Sequence, residues 1–308
     1  MNSNIKNILI IGVGPMGLSH FESFYNSKNN YNIDLCDLNI QKIERKYKNQ
    51  TKSQSIRFFK KIPKNNNYDL AIISTNSKER YKIIKKLLKS NIVINLIIEK
   101  FLFNKIKEYS EFESLIKKYP KTKRININSW GNYILKKTGL KLQGNFAASY
   151  HLRSKGLATN LIHVSDLYST LIKDKDFEIL SENLSKLKSK RRGYHEISGR
   201  VILKSNEGLL RIKDNCKSKY HIFKLRDKKN NYILQLNNKK KCHLFKNKKL
   251  IKTFDFPMAR SFTENFFRKS LRKSASKDQR LNNYHRLSFL SQKILSFIRH
   301  RFKQFNIT

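Results

Sequence analysis

Acid is what this chain lacks most. Against 66 Lys and Arg it carries 22 Asp and Glu, leaving a formal net charge of +44. Such an excess draws a protein toward nucleic acid, anionic membrane or acidic ligands. Here, however, the lysines are spread through nearly every segment, among many Asn and Ile, and gather in no single arm. A coding sequence rich in A and T produces that mixture, and no nucleic-acid module accompanies the charge, so no dedicated nucleic-acid partner is expected. Cysteine is scarce too: Cys36, Cys216 and Cys242 are odd in number and widely spaced. They exclude a disulfide framework, match no metal-ligand pattern, and suit free thiols in a reducing compartment. No apolar run approaches the roughly 18 residues of a membrane span. The short apolar stretch near the N-terminus ends in glycines and not in a small-residue cleavage site, which points to a cytoplasmic protein. Internal repeats and low-complexity linkers are absent. With 308 residues, 39% apolar and 11% aromatic, the chain can build two domains with cores of their own.

Ile8 to His20 reads ILIIGVGPMGLSH. An apolar strand breaks into Gly12, Gly14 and Gly17, and a helix opens at about Met16. The spacing is weak evidence alone, but strand and helix flank it and Asp37 follows at about the separation a dinucleotide fold requires. Gly12 allows the tight turn, Gly14 lets a pyrophosphate approach the helix N-terminus, and Gly17 lets helix pack on strand. Asp37, after the strand Ile33 to Cys36, can accept hydrogen bonds from the ribose hydroxyls of NAD. NADP becomes the cofactor if Lys42 and Arg45 offset that carboxylate.

Strand and helix alternate through the first 128 residues. The buried runs Tyr68 to Ser74 and Ile92 to Ile98 are near-continuously apolar, as in a parallel sheet covered on both faces. Beyond Trp130 one helix, about Gly156 to Ile172, precedes alternating runs such as Glu196 to Lys204 and Tyr232 to Leu236. They predict a largely antiparallel sheet whose open face can take a second copy. Two helices follow, Arg260 to Arg272 and Asn282 to Lys303. The fold class is therefore α/β, with a doubly wound Rossmann domain over 1–128 and an α+β domain for substrate and oligomerisation over 129–308. The last helix, basic and apolar on opposite sides, could lie on a membrane surface, but packing against the protein is the better reading.

Two further groups could carry chemistry. Glu99-Lys100 ends a buried parallel strand, where open α/β sheets bind ligands. On the helix after the domain boundary, Asn160, His163 and Asp166 recur at spacings of three and share one face. Their neighbours are mostly apolar, so the stripe must be satisfied within the protein or by something bound.

Taken together, Gly12 to Gly17 with His20, Ile72 to Ser77, Glu99-Lys100 and His163 to Leu167 resemble the glucose-fructose oxidoreductase and inositol dehydrogenase family (Gfo/Idh/MocA). Arg80, Glu99 to Phe103 and Gly156 to Asn160 are most similar to members associated with surface-polysaccharide and sugar biosynthesis. The resemblance implies an NAD(P)-dependent oxidoreductase acting on a hydroxyl-bearing carbon of a sugar or sugar nucleotide. It implies a catalytic Lys100, an acid/base His163 and a positioning Asp166. The cofactor would be held by Gly12, Gly14, Pro15, Met16, Gly17, Asp37, Ser74, Thr75, Asn76, Arg80, Glu99 and Lys100, and substrate by Thr159, Asn160 and Trp130, with no metal. Lys100 and His163 are expected to converge over the nicotinamide. The chain departs from the family at Phe101, where proline is usual, and at Thr159, where many members have an aspartate. The second departure leaves open a dinucleotide-binding protein that catalyses nothing.

Overall fold

The computed structural model describes residues 5–49, 54–153, 156–172, 176–189, 191–214, 220–236, 241–272 and 282–307. The chain divides into two compact units, Met1–Asn128 with Met258–Ser288, and Ser129–Pro257 with Phe289–Thr308. The first unit thus takes in a C-terminal segment as well as the nucleotide-binding sheet.

Six strands form the first sheet: β1 (Lys6–Ile11), β2 (Tyr31–Cys36), β3 (Ser55–Phe59), β4 (Asn67–Ile73), β5 (Ile92–Glu99) and β6 (Arg124–Asn128). All pair in parallel, in the order β3-β2-β1-β4-β5-β6. The helices α1 (Pro15–Tyr25), α2 (Ile40–Tyr47), α3 (Arg80–Ser90) and α4 (Lys107–Lys118) alternate with them. Parallel strands need such crossovers, and helices on both faces explain why Ile8, Ile10, Leu70, Ile72 and Ile98 are fully shielded. Strand order reverses between β1 and β4, so the loops leaving these two strands diverge and open a crevice at their C-terminal ends. From the C-terminal segment, α7 (Ala259–Arg272) adds Phe267 to the core around Phe24 and Leu35. One polar group lies inside the sheet: Asp34, paired bidentately with Arg57 and bonded by the Tyr68 hydroxyl at 2.7 Å.

The second unit is built on eight strands, β7 (Phe146–His151), β8 (Glu178–Lys188), β9 (His195–Lys204), β10 (Gly208–Lys213), β11 (His221–Arg226), β12 (Asn231–Leu236), β13 (Lys241–Lys246) and β14 (Lys249–Asp255). Their order is β14-β13-β12-β11-β7-β10-β9-β8. Every pairing is antiparallel except β7 with β10. Two helices precede most of these strands, α5 (Gly131–Thr138) and α6 (Leu157–Leu171). Inward residues such as Phe223, Leu225, Leu234 and Leu244 are buried, while Arg211, Lys213, Lys224 and Arg226 stand outward. The alternation expected from the sequence is therefore that of a sheet covered on one face.

The terminal helix α8 (Asn282–Arg301) buries Leu287, Leu290, Ile294 and Ile298 to 1% exposure or less. That burial spends the apolar side a lipid surface would need, so the membrane-surface reading is set aside. Among the described residues no helix is long and apolar enough to cross a membrane, and no cluster of His, Cys, Asp and Glu could hold a metal. Cys36 and Cys242 are buried and in no disulfide, and Cys216 lies outside the described residues.

Candidate active site

The glycine loop leaves β1 at Gly12, whose φ of +87° favours a residue without Cβ. A Cβ there would lie 2.7 Å from the Thr75 nitrogen, and one on Gly17 would lie 1.9 Å from the Gly12 carbonyl oxygen. Both glycines are therefore required by packing. Gly14 is different: it caps α1 with a φ of −70°, and nothing lies within 4 Å of where its Cβ would stand. Its missing side chain leaves open the space above the helix N-terminus, with Pro15 and Met16 exposed beside it. Ser74 closes the loop from the next strand, donating its hydroxyl to the Gly12 carbonyl at 3.0 Å. Thr75 leaves its Oγ1 buried with no hydrogen-bond partner, and the Asn76 carboxamide oxygen accepts the Glu79 N–H at 3.4 Å.

Asp37 follows β2 and is fixed by two backbone donors, Val13 N–H at 2.7 Å and Asn39 N–H at 2.8 Å, one on each oxygen. A carboxylate has about four acceptor sites, so lone pairs remain for a diol. An open helix N-terminus, an orphaned threonine hydroxyl and a fixed carboxylate suit the diphosphate and ribose of a dinucleotide.

At the end of β5 the chain is braced from two sides. Arg80 is 2% exposed, and its guanidinium donates to the carbonyls of Glu99 (2.6 Å), Leu102 (3.1 Å), Phe101 and Thr75. Expected among the cofactor-binding residues, it ties the loops after β4 and β5 together through their main chain. On the other side, the Glu99 carboxylate accepts from Asn128 at 2.5 Å and meets His20 Nε2 at 2.8 Å. The Thr263 hydroxyl gives its proton to the Ala259 carbonyl, so at its 2.8 Å contact with His20 Nδ1 the imidazole donates. Burial alone would push the Glu99 carboxyl up, but His20, Asn128 and the Arg80 charge together hold it below its ordinary value. Glu99, Phe101, Leu102 and Phe103 are all buried, and Lys100 alone in this turn is half-buried.

In the second unit α6 carries His163, 6% exposed, and Asp166, fully buried. The Asp166 carboxylate accepts the Ser129 hydroxyl at 2.8 Å and the Asn132 N–H at 2.9 Å. Ser129 Oγ lies 3.1 Å from His163 Nδ1. Nδ1 also faces the Trp130 N–H at 3.4 Å, so two groups hold the imidazole by this nitrogen. The Trp130 ring stacks on the imidazole at 4.8 Å and 25°, fixing its plane. Asp166 thus orients His163 through Ser129, which the sequence reading missed; its one signal is its place immediately after a parallel strand. Glu196 was missed as well. From β9 its carboxylate reaches the first turn of α6 and takes the Thr159 hydroxyl at 2.8 Å, while Asn160 donates to the Gly156 carbonyl at 2.8 Å.

A model of an oxidoreductase family with an NAD-binding Rossmann fold matches residues 6–126, the sheet that carries this glycine loop. That description is the Gfo/Idh/MocA family's, and it is residues 6–126 that match it. The chain is an NAD(P)-binding oxidoreductase, and its substrate is a small molecule. The two-unit fold is shared with solved structures at low identity. A dehydrogenase from Clostridium difficile is 15% identical over 97% of this chain and 100% of that one, with a TM-score of 0.66. UDP-N-acetylglucosamine 3-dehydrogenase from Acidithiobacillus ferrooxidans is 10% identical over 96% of both chains, with a TM-score of 0.64. Biliverdin reductase from Synechocystis sp. PCC 6803, solved with biliverdin and NADP+, is 12% identical over 96% and 98%, with a TM-score of 0.64. By sequence, no curated protein matches the chain.

Proposed function

We propose that this Gfo/Idh/MocA protein is a dehydrogenase of a sugar or sugar nucleotide, with Lys100 and His163 as its catalytic residues. The observation that carries the reading is the His163–Ser129–Asp166 chain, which holds a nearly buried imidazole by its Nδ1. Bound NAD(P) would supply the chemistry the chain lacks, exchange of a hydride with a carbinol carbon. Gly14 and the α1 N-terminus would hold its diphosphate, Asp37 its ribose hydroxyls, and Thr75 a neighbouring oxygen.

His163 takes the hydroxyl proton at Nε2 and returns it in the opposite direction, worth typically 10²- to 10⁴-fold in rate. Lys100, emerging from a turn whose other side chains are packed, hydrogen-bonds the same oxygen as it gains negative charge. Asn160, Thr159 and Trp130 contact the substrate. The same reading puts a second copy against the outward face of the eight-stranded sheet and the protein in the cytoplasm. A role in surface-polysaccharide synthesis draws support from a sugar-nucleotide dehydrogenase with the same fold.

The test is reduction of NAD+ and NADP+ across a panel of sugars and sugar nucleotides by the parent, Lys100→Ala and His163→Ala. Both variants should retain NADH binding and lose turnover. Variants as fast as the parent would refute the assignments, and tight NADH binding without turnover of any substrate would favour a silent dinucleotide-binding protein.

A further inference from the structure

At the end of the first sheet opposite the glycine loop, a groove of about 340 Å³ opens among the first residues of four parallel strands. Asn7 of β1, Asn32 of β2, Ser55 of β3 and Asn67 of β4 line it, with Arg57 and Asn66 beside them. In the parallel register Asn7 faces Asn32 and Asn32 faces Ser55, so these side chains stand in one row, and Arg57, two residues past Ser55, shares their face. The row is tied together: Asn32 Nδ2 donates to Asn7 Oδ1 at 3.0 Å, and Asn7 Nδ2 to the Asn67 carbonyl at 3.2 Å.

What sets the groove apart is how Arg57 is held. Asp34, 1% exposed, accepts its Nε and Nη2 at 2.8 Å each, and Tyr68 gives its hydroxyl to the same carboxylate at 2.7 Å. The guanidinium carbon also lies 5.6 Å from the centre of the Phe59 ring. A carboxylate inside a sheet is costly, and here its cation is a side chain that stays 58% exposed. The pair therefore fixes the plane of an arginine that still has three N–H groups to give. Among the described residues nothing accepts them, and the Ser55 hydroxyl and Asn67 carboxamide make no hydrogen bond either. The carboxamide oxygens of Asn32 and Asn66 are likewise left to accept. No acid is among the described residues lining the groove, and nearby Asp69 is taken by Lys6 and the Asn7 N–H.

We propose that this groove binds a phosphate ester of a small polyol, with the phosphate on Arg57 and Ser55 and the hydroxyls on the asparagines. A guanidinium fixed in plane can pair with two phosphate oxygens at once. The volume falls at the lower end of the range for small-molecule sites and leaves room for more than a lone phosphate. The inference is independent of the dehydrogenase reading, since the glycine loop and Asp37 follow the opposite ends of these strands.

Calorimetric titration of the NADH-saturated protein with glucose 6-phosphate and with glucose tests it, beside crystals of the same complex soaked with the phosphate. NADH keeps the probe out of the dinucleotide site. Removing Arg57 would strand Asp34, so the variants are Ser55→Asp and Asn67→Asp, at exposed side chains that hold nothing described. A carboxylate in the groove should weaken glucose 6-phosphate binding roughly tenfold or more while the melting temperature holds. Binding of the phosphate but not of glucose, with the phosphate seen within hydrogen-bond distance of Arg57 Nη1, is the expected result. No binding of glucose 6-phosphate, equal binding of glucose, or binding unchanged in both variants overturns the proposal. Loss of turnover in Lys100→Ala or His163→Ala bears on the dehydrogenase reading alone.

Discussion

Gly14→Ser separates what the glycine loop does for the fold from what it does for a ligand. At φ −70° and ψ −169° the position accepts any residue, and nothing lies within 4 Å of the added Cβ. Serine is at least as good a helix N-cap as glycine, so the melting temperature should hold or rise slightly. The new side chain would stand in the open space above the α1 N-terminus. If a diphosphate sits there, displacing it weakens hydrogen bonds from main-chain N–H groups to charged oxygens, each worth about 1.5–3 kcal/mol. Losing one to two of them costs about 3 kcal/mol, on the order of a hundredfold in Kd. Gly17→Ala should behave oppositely: a Cβ 1.9 Å from the Gly12 oxygen forces α1 off β1, and about 1–3 kcal/mol of overpacking lowers the melting temperature itself. NADH fluorescence titration beside thermal melts reads both. A folded Gly14→Ser protein binding NADH within threefold of the parent would refute the placement of the diphosphate.

Ser129→Ala should lower kcat about a hundredfold with KM little changed, because His163 loses the group that ties its Nδ1 to Asp166; an unchanged kcat would break the link from Asp166 to the imidazole. His20→Ala leaves the Glu99 carboxylate buried without its partner and should cost about 3–5 kcal/mol in urea unfolding at neutral pH. Since the folded Glu99 value is lowered, its stabilisation is present above the unfolded value and is lost as pH falls through the folded one. The gap between parent and His20→Ala should close on acidification, and a gap independent of pH would argue against the pair. Glu196 has the opposite sign: burial raises its folded value, against the Thr159, Ile197 and Ala158 hydrogen bonds that lower it. Its contribution is full below the unfolded value and is lost as pH rises through the raised one. Glu196→Gln should therefore gain on the parent as pH rises above the ordinary carboxylate range, and parallel stability curves would refute it.

What could be read from the chain and what could not divide along a physical line. The first sheet was legible because each signal is local: β1, β4 and β5 are continuous apolar runs, and the glycines and Asp37 follow at fixed offsets. The strands that escaped notice lack that pattern. β7, FAASYH, pairs its small residues at the centre of the sheet, while β8 and β14 are largely exposed and show no buried period. Parallel pairing of β7 with β10 inside an otherwise antiparallel sheet leaves no mark on either segment. The site shows the same division. Lys100, His163 and Asp166 could be proposed because they sit on recognisable elements, but the groups bonded to the last two come from elsewhere in the chain. Ser129 lies 34 residues from His163, and Glu196 lies 37 from Thr159. Thr159 read alone is a missing carboxylate; beside Glu196 it is a hydroxyl whose proton is already assigned. A hydrogen bond takes its meaning from both ends. The sequence around one end can therefore name the atom, but not whether it will act as donor or acceptor.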